Sequence, residues 1–384
     1  MQQVNVAMIG CGFMGKAHSN AYMSVGKFFD LPVEPVMKVV CSRHEGRCRP
    51  FSERWGWQEW STDFRQVVRR PDVDLVDIVT PNDAHEAIVA AAAQAGKVIA
   101  CEKPLARTVP EARRMLRAVQ RAGVKTTVWF CYRRVPAIGL AKRLIDEGRI
   151  GRVYHWRASY LQDWIVDPKF PLLWRLDKKV AGSGSLGDIG AHIIDLAHYL
   201  VGELAEVNAV METFVKKRPK GTGEGLSGKA GRETGEVTVD DATMFLARFT
   251  NGALGTFEAT RFAAGRKNGI HVEINGSEGS LYFDFERMNE LKFFSRRDPD
   301  HARGFRTILA TEPVHPYMEA WWPPGHIIGY EHGFINQAAD IFRTWGKDTP
   351  VAPDFAEAFR VQQVLEAVEK SARKRAWVKP AYGA

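Results

Sequence analysis

Through the first third of the chain, short and almost wholly apolar runs alternate with longer stretches whose apolar residues recur every three to four positions. The runs at 4–9, 36–41, 75–80, 98–101 and 126–130 are too short for helices and show no alternation, the pattern of strands buried on both faces. Helices are predicted from about 15 to 23, near 50–55, around 64–69, and over 84–95 and 109–122. Gly96 and Gly123 follow the last periodic residues, where a left-handed residue closes the final turn. This strand–helix alternation predicts a parallel α/β sheet.

After residue 130 the pattern changes. Helices are predicted at 136–147 and, led by glycines, at 188–200, followed by alternating runs that suit antiparallel strands. Phe249-Thr250-Asn251-Gly252-Ala253 and Ile274-Asn275-Gly276-Ser277 are hairpin signals, because Asn-Gly supplies the positive φ of a tight turn. The polar, glycine-bearing stretch between 216 and 236 is expected to be a long flexible loop inserted between strands. A last helix is predicted over 356–373. The expected division is 1–131, a parallel α/β domain, and 132–384, a second α/β domain.

Composition narrows the function classes. The 384 residues are 45% hydrophobic, 11% aromatic and 26% charged, enough apolar mass for two cores. No apolar run approaches the roughly 18–20 residues of a membrane span, and the opening residues lack a signal-peptide pattern. A cytoplasmic protein without a membrane partner is expected. Cys11, Cys41, Cys48, Cys101 and Cys131 form no C-x-x-C pair, which disfavours a disulfide framework and a zinc site. Lys and Arg exceed Asp and Glu by 53 − 45 = 8. The basic residues are scattered at helical spacing, which suits solvated helix faces better than nucleic acid.

Gly10-Cys11-Gly12-Phe13-Met14-Gly15 matches G-x-G-x-x-G and follows a strand while opening a helix. Its first glycine makes the tight turn and its second lets backbone N–H groups approach a pyrophosphate. The third lets helix and strand pack closely. Gly10, Gly12, Phe13 and Met14 are therefore cofactor candidates. Sites for NAD usually carry an acid at the end of the second strand, but here Ser42 and Arg43 stand there. A guanidinium and a hydroxyl suit a 2′-phosphate, which favours NADP slightly over NAD. Two further strand ends carry Thr80-Pro81-Asn82-Asp83-Ala84-His85 and Cys101-Glu102-Lys103-Pro104. Ligands bind beyond the carboxyl ends of parallel strands, so Thr80, Pro81, Asn82, His85, Glu102 and Lys103 are expected to line the nicotinamide end.

On these residues, and on Gly182-Ser183-Gly184-Ser185-Leu186-Gly187-Asp188-Ile189-Gly190-Ala191-His192-Ile193-Ile194-Asp195, the chain resembles the Gfo/Idh/MocA oxidoreductases. The resemblance implies a Rossmann doubly wound parallel sheet followed by an α/β domain with a large, mainly antiparallel sheet, often used to form dimers or tetramers. It implies reversible, nicotinamide-dependent oxidation of a sugar or cyclitol hydroxyl, with Lys103, Asp188 and His192 at the catalytic positions. Tyr132-Arg133-Arg134, Tyr160-Leu161-Gln162-Asp163-Trp164 and Trp174-Arg175 are similar to members that oxidise an anhydrosugar at carbon 3. That similarity adds Trp174 and Arg175 to the cofactor set.

The chemistry follows from the residue types. Asp188 and His192 are spaced i, i+4 and Asp195 lies at i+7, so all three are expected to share one helix face. His192, with an ordinary pKa of about 6.5, suits acceptance of a hydroxyl proton near neutral pH. Lys103 would hydrogen-bond the same oxygen as its negative charge develops. Both nitrogens are expected over one nicotinamide ring. Asp188 would orient a neighbouring hydroxyl, and Tyr132, Gln162 and His326 are added as substrate contacts, since aromatic faces and a few polar groups suit a sugar ring. His192 and His198 are six apart, and no metal-ligand spacing exists, so no metal is expected. Two alternatives remain at this level: a non-catalytic dinucleotide-binding regulator, and a glycosidase that uses tightly bound NAD.

Overall fold

Strand β1 (Gln2–Ile9) enters exposed and ends buried, then turns at Gly10, whose φ of +123° only glycine takes easily. It is followed by α1 (Phe13–Phe28), β2 (Val33–Cys41), α2 (Glu45–Trp55), β3 (Glu59–Ser61), α3 (Phe64–Val68), β4 (Leu75–Ile78), α4 (His85–Gln94), β5 (Val98–Cys101), α5 (Val109–Ala122) and β6 (Thr126–Val128). These elements come from a computed structural model describing residues 1–224, 227–349 and 351–382. The six strands are parallel in the order β3-β2-β1-β4-β5-β6, which reverses direction between β1 and β4. A doubly wound sheet of this order opens its ligand crevice at that reversal.

The predicted β5 and α5 have the observed bounds. Thr108 caps α5 by accepting from the Glu111 N–H, and Gly123 closes it at φ +63°. Helix α1 is longer than predicted because its buried stripe runs from Gly15 through His18 and Tyr22 to Val25. Strand β2 begins three residues before the predicted start because Pro35, which interrupts the apolar run, pairs with Val4 inside the ladder.

After β6 come α6 (Pro136–Asp146), β7 (Val153–Leu161), α7 (Lys178–Ala181), a π-helical turn over Leu186–Gly190, α8 (Ala191–Leu200) and β8 (Leu204–Glu212). Then follow β9 (Lys217–Glu224), β10 (Ser227–Glu236), β11 (Ala242–Phe249), β12 (Leu254–Thr260), β13 (Gly269–Gly276), β14 (Gly279–Asp284), β15 (Glu290–Ser295), β16 (Arg306–Leu309), α9 (His332–Arg343) and α10 (Phe355–Lys374). Contacts divide the chain into two units. One holds Met1–Cys131, Lys179–Gly182 and Tyr330–Gln362, and the other holds Tyr132–Lys178, Ser183–Gly329 and Gln363–Ala384. Within the first unit α9 lies along α1, with the Phe334 ring 5.5 Å from His18 and the Phe342 ring 6.1 Å from Tyr22.

The second unit is built on an eight-stranded sheet ordered β16-β15-β14-β13-β7-β12-β11-β8, antiparallel except where β12 runs parallel to β7. Burial alternates along β11, β13, β14 and β15, so one face is core while the other carries exposed Val210, Met244, Leu246 and Leu254.

The segment expected as a flexible loop is instead a two-stranded ribbon, with Lys217 opposite Glu236 and Gly223 opposite Gly228. Gly225 and Leu226, within that expected loop, lie outside the described residues. Its glycines serve close approach: a Cβ on Gly221 would stand 2.2 Å from the Lys229 carbonyl oxygen. Arg218 anchors the ribbon, fully buried and donating to the Asp167 carbonyl at 2.7 Å. The Asn251-Gly252 turn forms as predicted, with Gly252 at φ +89°. Asn275, by contrast, stays inside β13 and donates to Glu273 and Ser280, so that turn falls at Ser277 and Glu278. Among the described residues no helix is long and apolar enough to cross a membrane.

Candidate active site

The glycine turn has the shape a dinucleotide requires. The Gly10 N–H donates to the Cys41 carbonyl at 2.8 Å, and a Cβ on Gly10 would stand 2.7 Å from the Val79 carbonyl oxygen. A Cβ on Gly15 would stand 3.0 Å from the Gly10 carbonyl oxygen, so helix and turn meet where only hydrogen fits. Gly12 has open space above it, and α1 starts there with no side-chain cap and no acid in its first turn. Helix N–H groups left in this way attract a phosphate. Met14 is half-buried and Phe13 exposed, its ring stacked 6.5 Å from that of Tyr330. At the end of β2, Ser42 is half-buried with its N–H on the Ser61 carbonyl, and Arg43 is exposed.

Beyond β4, Thr80 holds a buried hydroxyl with no hydrogen-bond partner among the described residues. An orphaned polar atom at the carboxyl end of a central strand fits a ligand group placed there. Pro81 is half-buried and leads to Asn82, whose amide donates to the Ala181 carbonyl at 2.8 Å. His85 is fully buried, with one ring nitrogen 3.1 Å from the Leu105 carbonyl and the other 3.1 Å from that of Thr80. It ties the two cofactor loops together, and burial keeps its pKa below the ordinary histidine value. Glu102 is buried and takes the Lys103 N–H at 3.1 Å, while Lys103 itself is half-buried.

In the second unit the entrance to α8 is built around Asp240, which the sequence reading missed. Its carboxylate accepts from the Gly184 N–H at 2.7 Å, the Leu186 N–H at 2.8 Å and the Ser185 and Thr243 hydroxyls. A Cβ on Gly184 would stand 1.8 Å from the Asp240 carbonyl oxygen, which explains the glycine-rich approach. The expected single face carrying Asp188, His192 and Asp195 does not form. The π-turn inserts extra rotation before Ala191, so the three acquire different surroundings. Asp188 lies with its Oδ2 4.0 Å from Arg175 Nε and 3.7 Å from Arg261 Nη1. Asp195 instead faces Arg133 in a bidentate pair at 2.6 and 2.8 Å, with both side chains sealed from solvent.

His192 is buried against aromatic rings, 4.5 Å from the centroid of Tyr132 and 5.9 Å from that of Tyr160. The Tyr132 and Tyr160 hydroxyls are 2.8 Å apart, and Tyr160 donates to Asn268 at 2.7 Å. Gln162 donates to the same Asn268 oxygen at 3.0 Å and accepts from the Trp164 indole at 2.9 Å. This chain joins Tyr132, Gln162 and His192 in one wall. Asn268 was not foreseen, since a single loop asparagine has no motif to mark it. The guanidinium of Arg175 lies 4.2 Å over the Trp174 ring. His326 is exposed, with Nδ1 2.9 Å from the Pro323 carbonyl of its own loop. The cluster with metal-ligand geometry among the described residues is His271, Asp284 and Glu286 on the surface. There Glu286 already pairs with Arg266 and accepts the Lys267 and Asn268 N–H groups.

A parallel sheet with this glycine turn, joined to a large, mostly antiparallel sheet that carries the glycine-led helix, defines a nicotinamide-dependent oxidoreductase. A family model described as an oxidoreductase family with an NAD-binding Rossmann fold matches residues 4–130. A second, described as the GFO/IDH/MocA C-terminal domain, matches residues 138–282. The chain belongs to the Gfo/Idh/MocA family of oxidoreductases. It is 46% identical over 384 residues to levoglucosan dehydrogenase of Pseudarthrobacter phenanthrenivorans, covering 98% of each chain. A solved oxidoreductase domain protein from Kribbella flavida is 52% identical with a TM-score of 0.94, covering 99% of this chain and 100% of that one. A levoglucosan dehydrogenase solved with NADH and levoglucosan is 45% identical with the same TM-score of 0.94, again covering 99% and 100%.

Proposed function

We propose that this protein oxidises a ring hydroxyl of a sugar, anhydrosugar or cyclitol, and that levoglucosan or a close anhydrosugar, oxidised at carbon 3, is its substrate. The observation that carries this reading is the full-length likeness to levoglucosan dehydrogenase, at 46% identity over 98% of both chains. The bound dinucleotide supplies the hydride acceptor. The N–H groups at Gly12 and the start of α1 hold its pyrophosphate, and the Thr80 hydroxyl receives a polar group of the ligand. Lys103 donates to the hydroxyl oxygen and stabilises its developing charge. His192 takes the hydroxyl proton on Nε2, since Nδ1 is inaccessible to solvent. Asp188, Tyr132 and Gln162 orient the neighbouring hydroxyls. Asp188 lies beside Arg175 and Arg261 and serves as a hydrogen-bond acceptor. An absorbance assay of nicotinamide reduction across levoglucosan, glucose, inositol and related polyols tests the substrate class.

The dinucleotide is NAD or NADP, and the proposed preference is NADP. No carboxylate stands in Ser42-Arg43 at the end of β2, and the Arg43 guanidinium is free to reach a 2′-phosphate. The levoglucosan dehydrogenase solved with NADH marks NAD as the competing choice. Arg43→Ala is expected to weaken NADP by about tenfold or more and NAD by less than about twofold, the scale of a charge-assisted hydrogen bond. Titration of both reduced dinucleotides by fluorescence checks it, and equal losses would remove the 2′-phosphate argument.

The open face of the second unit's sheet is proposed to pack against a second copy of the chain, giving a dimer or, with a further face, a tetramer. Exposed Val210, Met244, Leu246 and Leu254 sit among Arg157, Glu258 and Glu273, an apolar centre with charged surroundings. The double change Met244→Glu, Leu246→Glu is expected to convert the assembly to monomers in light scattering; an unaltered mass would reject this face. The activity draws on the intracellular dinucleotide pool, so the cytoplasm is the proposed compartment.

A further inference from the structure

A buried charge cluster beside the Lys103 turn has no part in the chemistry above. His18, on the second turn of α1, is fully buried, with Nδ1 2.7 Å from Asp77 Oδ2 and Nε2 3.0 Å from Glu102 Oε1. Asp77 also accepts from the Tyr22 hydroxyl and the Trp129 indole, each at 2.9 Å. The other oxygen of Glu102 accepts the Lys103 backbone N–H at 3.1 Å. A neutral imidazole has one N–H and can donate to only one carboxylate, whereas an imidazolium serves both.

We propose that His18 is a positioning residue: clamped between Asp77 and Glu102, it fixes the Glu102 carboxylate that holds the Lys103 backbone, and so sets where the Lys103 amine stands. This rests on the proposed role of Lys103 in handling the substrate hydroxyl, and deepens it.

Protonation of His18 is the condition for the clamp. Burial opposes the charged ring, but the carboxylates of Asp77 and then Glu102 outweigh it and push the pKa up to about 9. The groups facing this cluster are Tyr22 from α1, Asp77 from β4, Cys101 and Glu102 from the end of β5, and His85 from α4. Burial and negative neighbours raise the titrations of Tyr22 and Cys101 above their ordinary values, while burial lowers that of His85. The rings of Trp129 and Phe334 complete the surround. With a folded pKa of about 9 the clamp is complete through neutral pH and is lost as pH rises through about 9. The stability it adds over an unfolded histidine is full only below the ordinary histidine pKa.

The test is the pH profile of kcat in wild type, His18→Gln and Glu102→Gln, with NADH affinity and near-ultraviolet circular dichroism measured alongside. Wild-type kcat is expected to fall between about pH 8 and pH 10 while NADH affinity holds. His18→Gln is expected to lower kcat by about ten- to a hundredfold, the cost of a misplaced catalytic group, and to lack that alkaline fall. Glu102→Gln keeps the ring but removes one carboxylate, and is expected to move the fall down by about one pH unit or more. An alkaline limb unchanged in both folded variants, or a His18→Gln kcat within about twofold of wild type, overturns the positioning role. Should His18→Gln not fold, the wild-type and Glu102→Gln limbs decide: no wild-type fall, or no shift, overturns it. Lys103→Ala runs in parallel: full turnover there overturns the reading of Lys103 itself, whereas lost turnover with an unmoved His18→Gln profile overturns only the clamp.

Discussion

Lys103→Ala and His192→Ala are each expected to lower kcat by about a hundredfold or more, with dinucleotide affinity kept within about threefold. In the proposed reaction Lys103 and His192 serve the substrate hydroxyl in different ways. Loss of the ammonium removes a donor aimed at an oxygen whose negative charge grows only as the hydride departs, so the loss appears in kcat. Loss of the imidazole removes the proposed proton acceptor, so this loss too appears in kcat. Steady-state kinetics and NADH fluorescence titration together check both. Near-normal turnover in either variant would reject that residue's role, and parallel losses of kcat and NADH affinity would point to a disturbed cofactor loop.

The second large effect concerns stability. Asp195→Asn is expected to cost about 3–5 kcal/mol, because it strips the counter-charge from a guanidinium sealed in the interior. The side chains of Arg133 and Asp195 are only 3% and 2% exposed, and both oxygens of the carboxylate are engaged. The Tyr199 ring, 4.9 Å from the guanidinium carbon, remains but carries no charge. Replacing both partners, as Arg133→Met with Asp195→Leu, is expected to recover most of the loss, since no orphaned charge is then left. Chemical denaturation measures the series; a single-mutant loss below about 1 kcal/mol would contradict the buried-pair account.

The parallel sheet was legible because its information is local. The apolar runs at β1, β4 and β5 need no partner to be recognised, and Gly10, Gly12 and Gly15 sit in one six-residue motif. Lys103, Asp188 and His192 were legible as candidates for the same reason, each standing in a contiguous motif. What was not legible depends on groups far apart in the chain. Asp77 breaks an otherwise apolar strand, a signal that a buried charge needs partners, but His18 lies 59 residues away and the Glu102 contact spans 84. Asp240 caps the approach to α8 across 56 residues, and nothing near it in sequence marks that task. Helical spacing placed Asp195 beside the candidate catalytic pair, yet a π-turn and the guanidinium of Arg133 put it elsewhere. The ribbon at β9 and β10 reads as loose chain because its glycines look permissive, while in the fold they let backbones touch.

The most direct test of the whole account is wild-type turnover of levoglucosan in the presence of NAD or NADP, with the substrate deuterated at carbon 3. One reduced dinucleotide per 3-keto product is expected, with deuterium carried onto the nicotinamide. Tight dinucleotide binding without reduction of either cofactor by levoglucosan, glucose, inositol or the related polyols would contradict it.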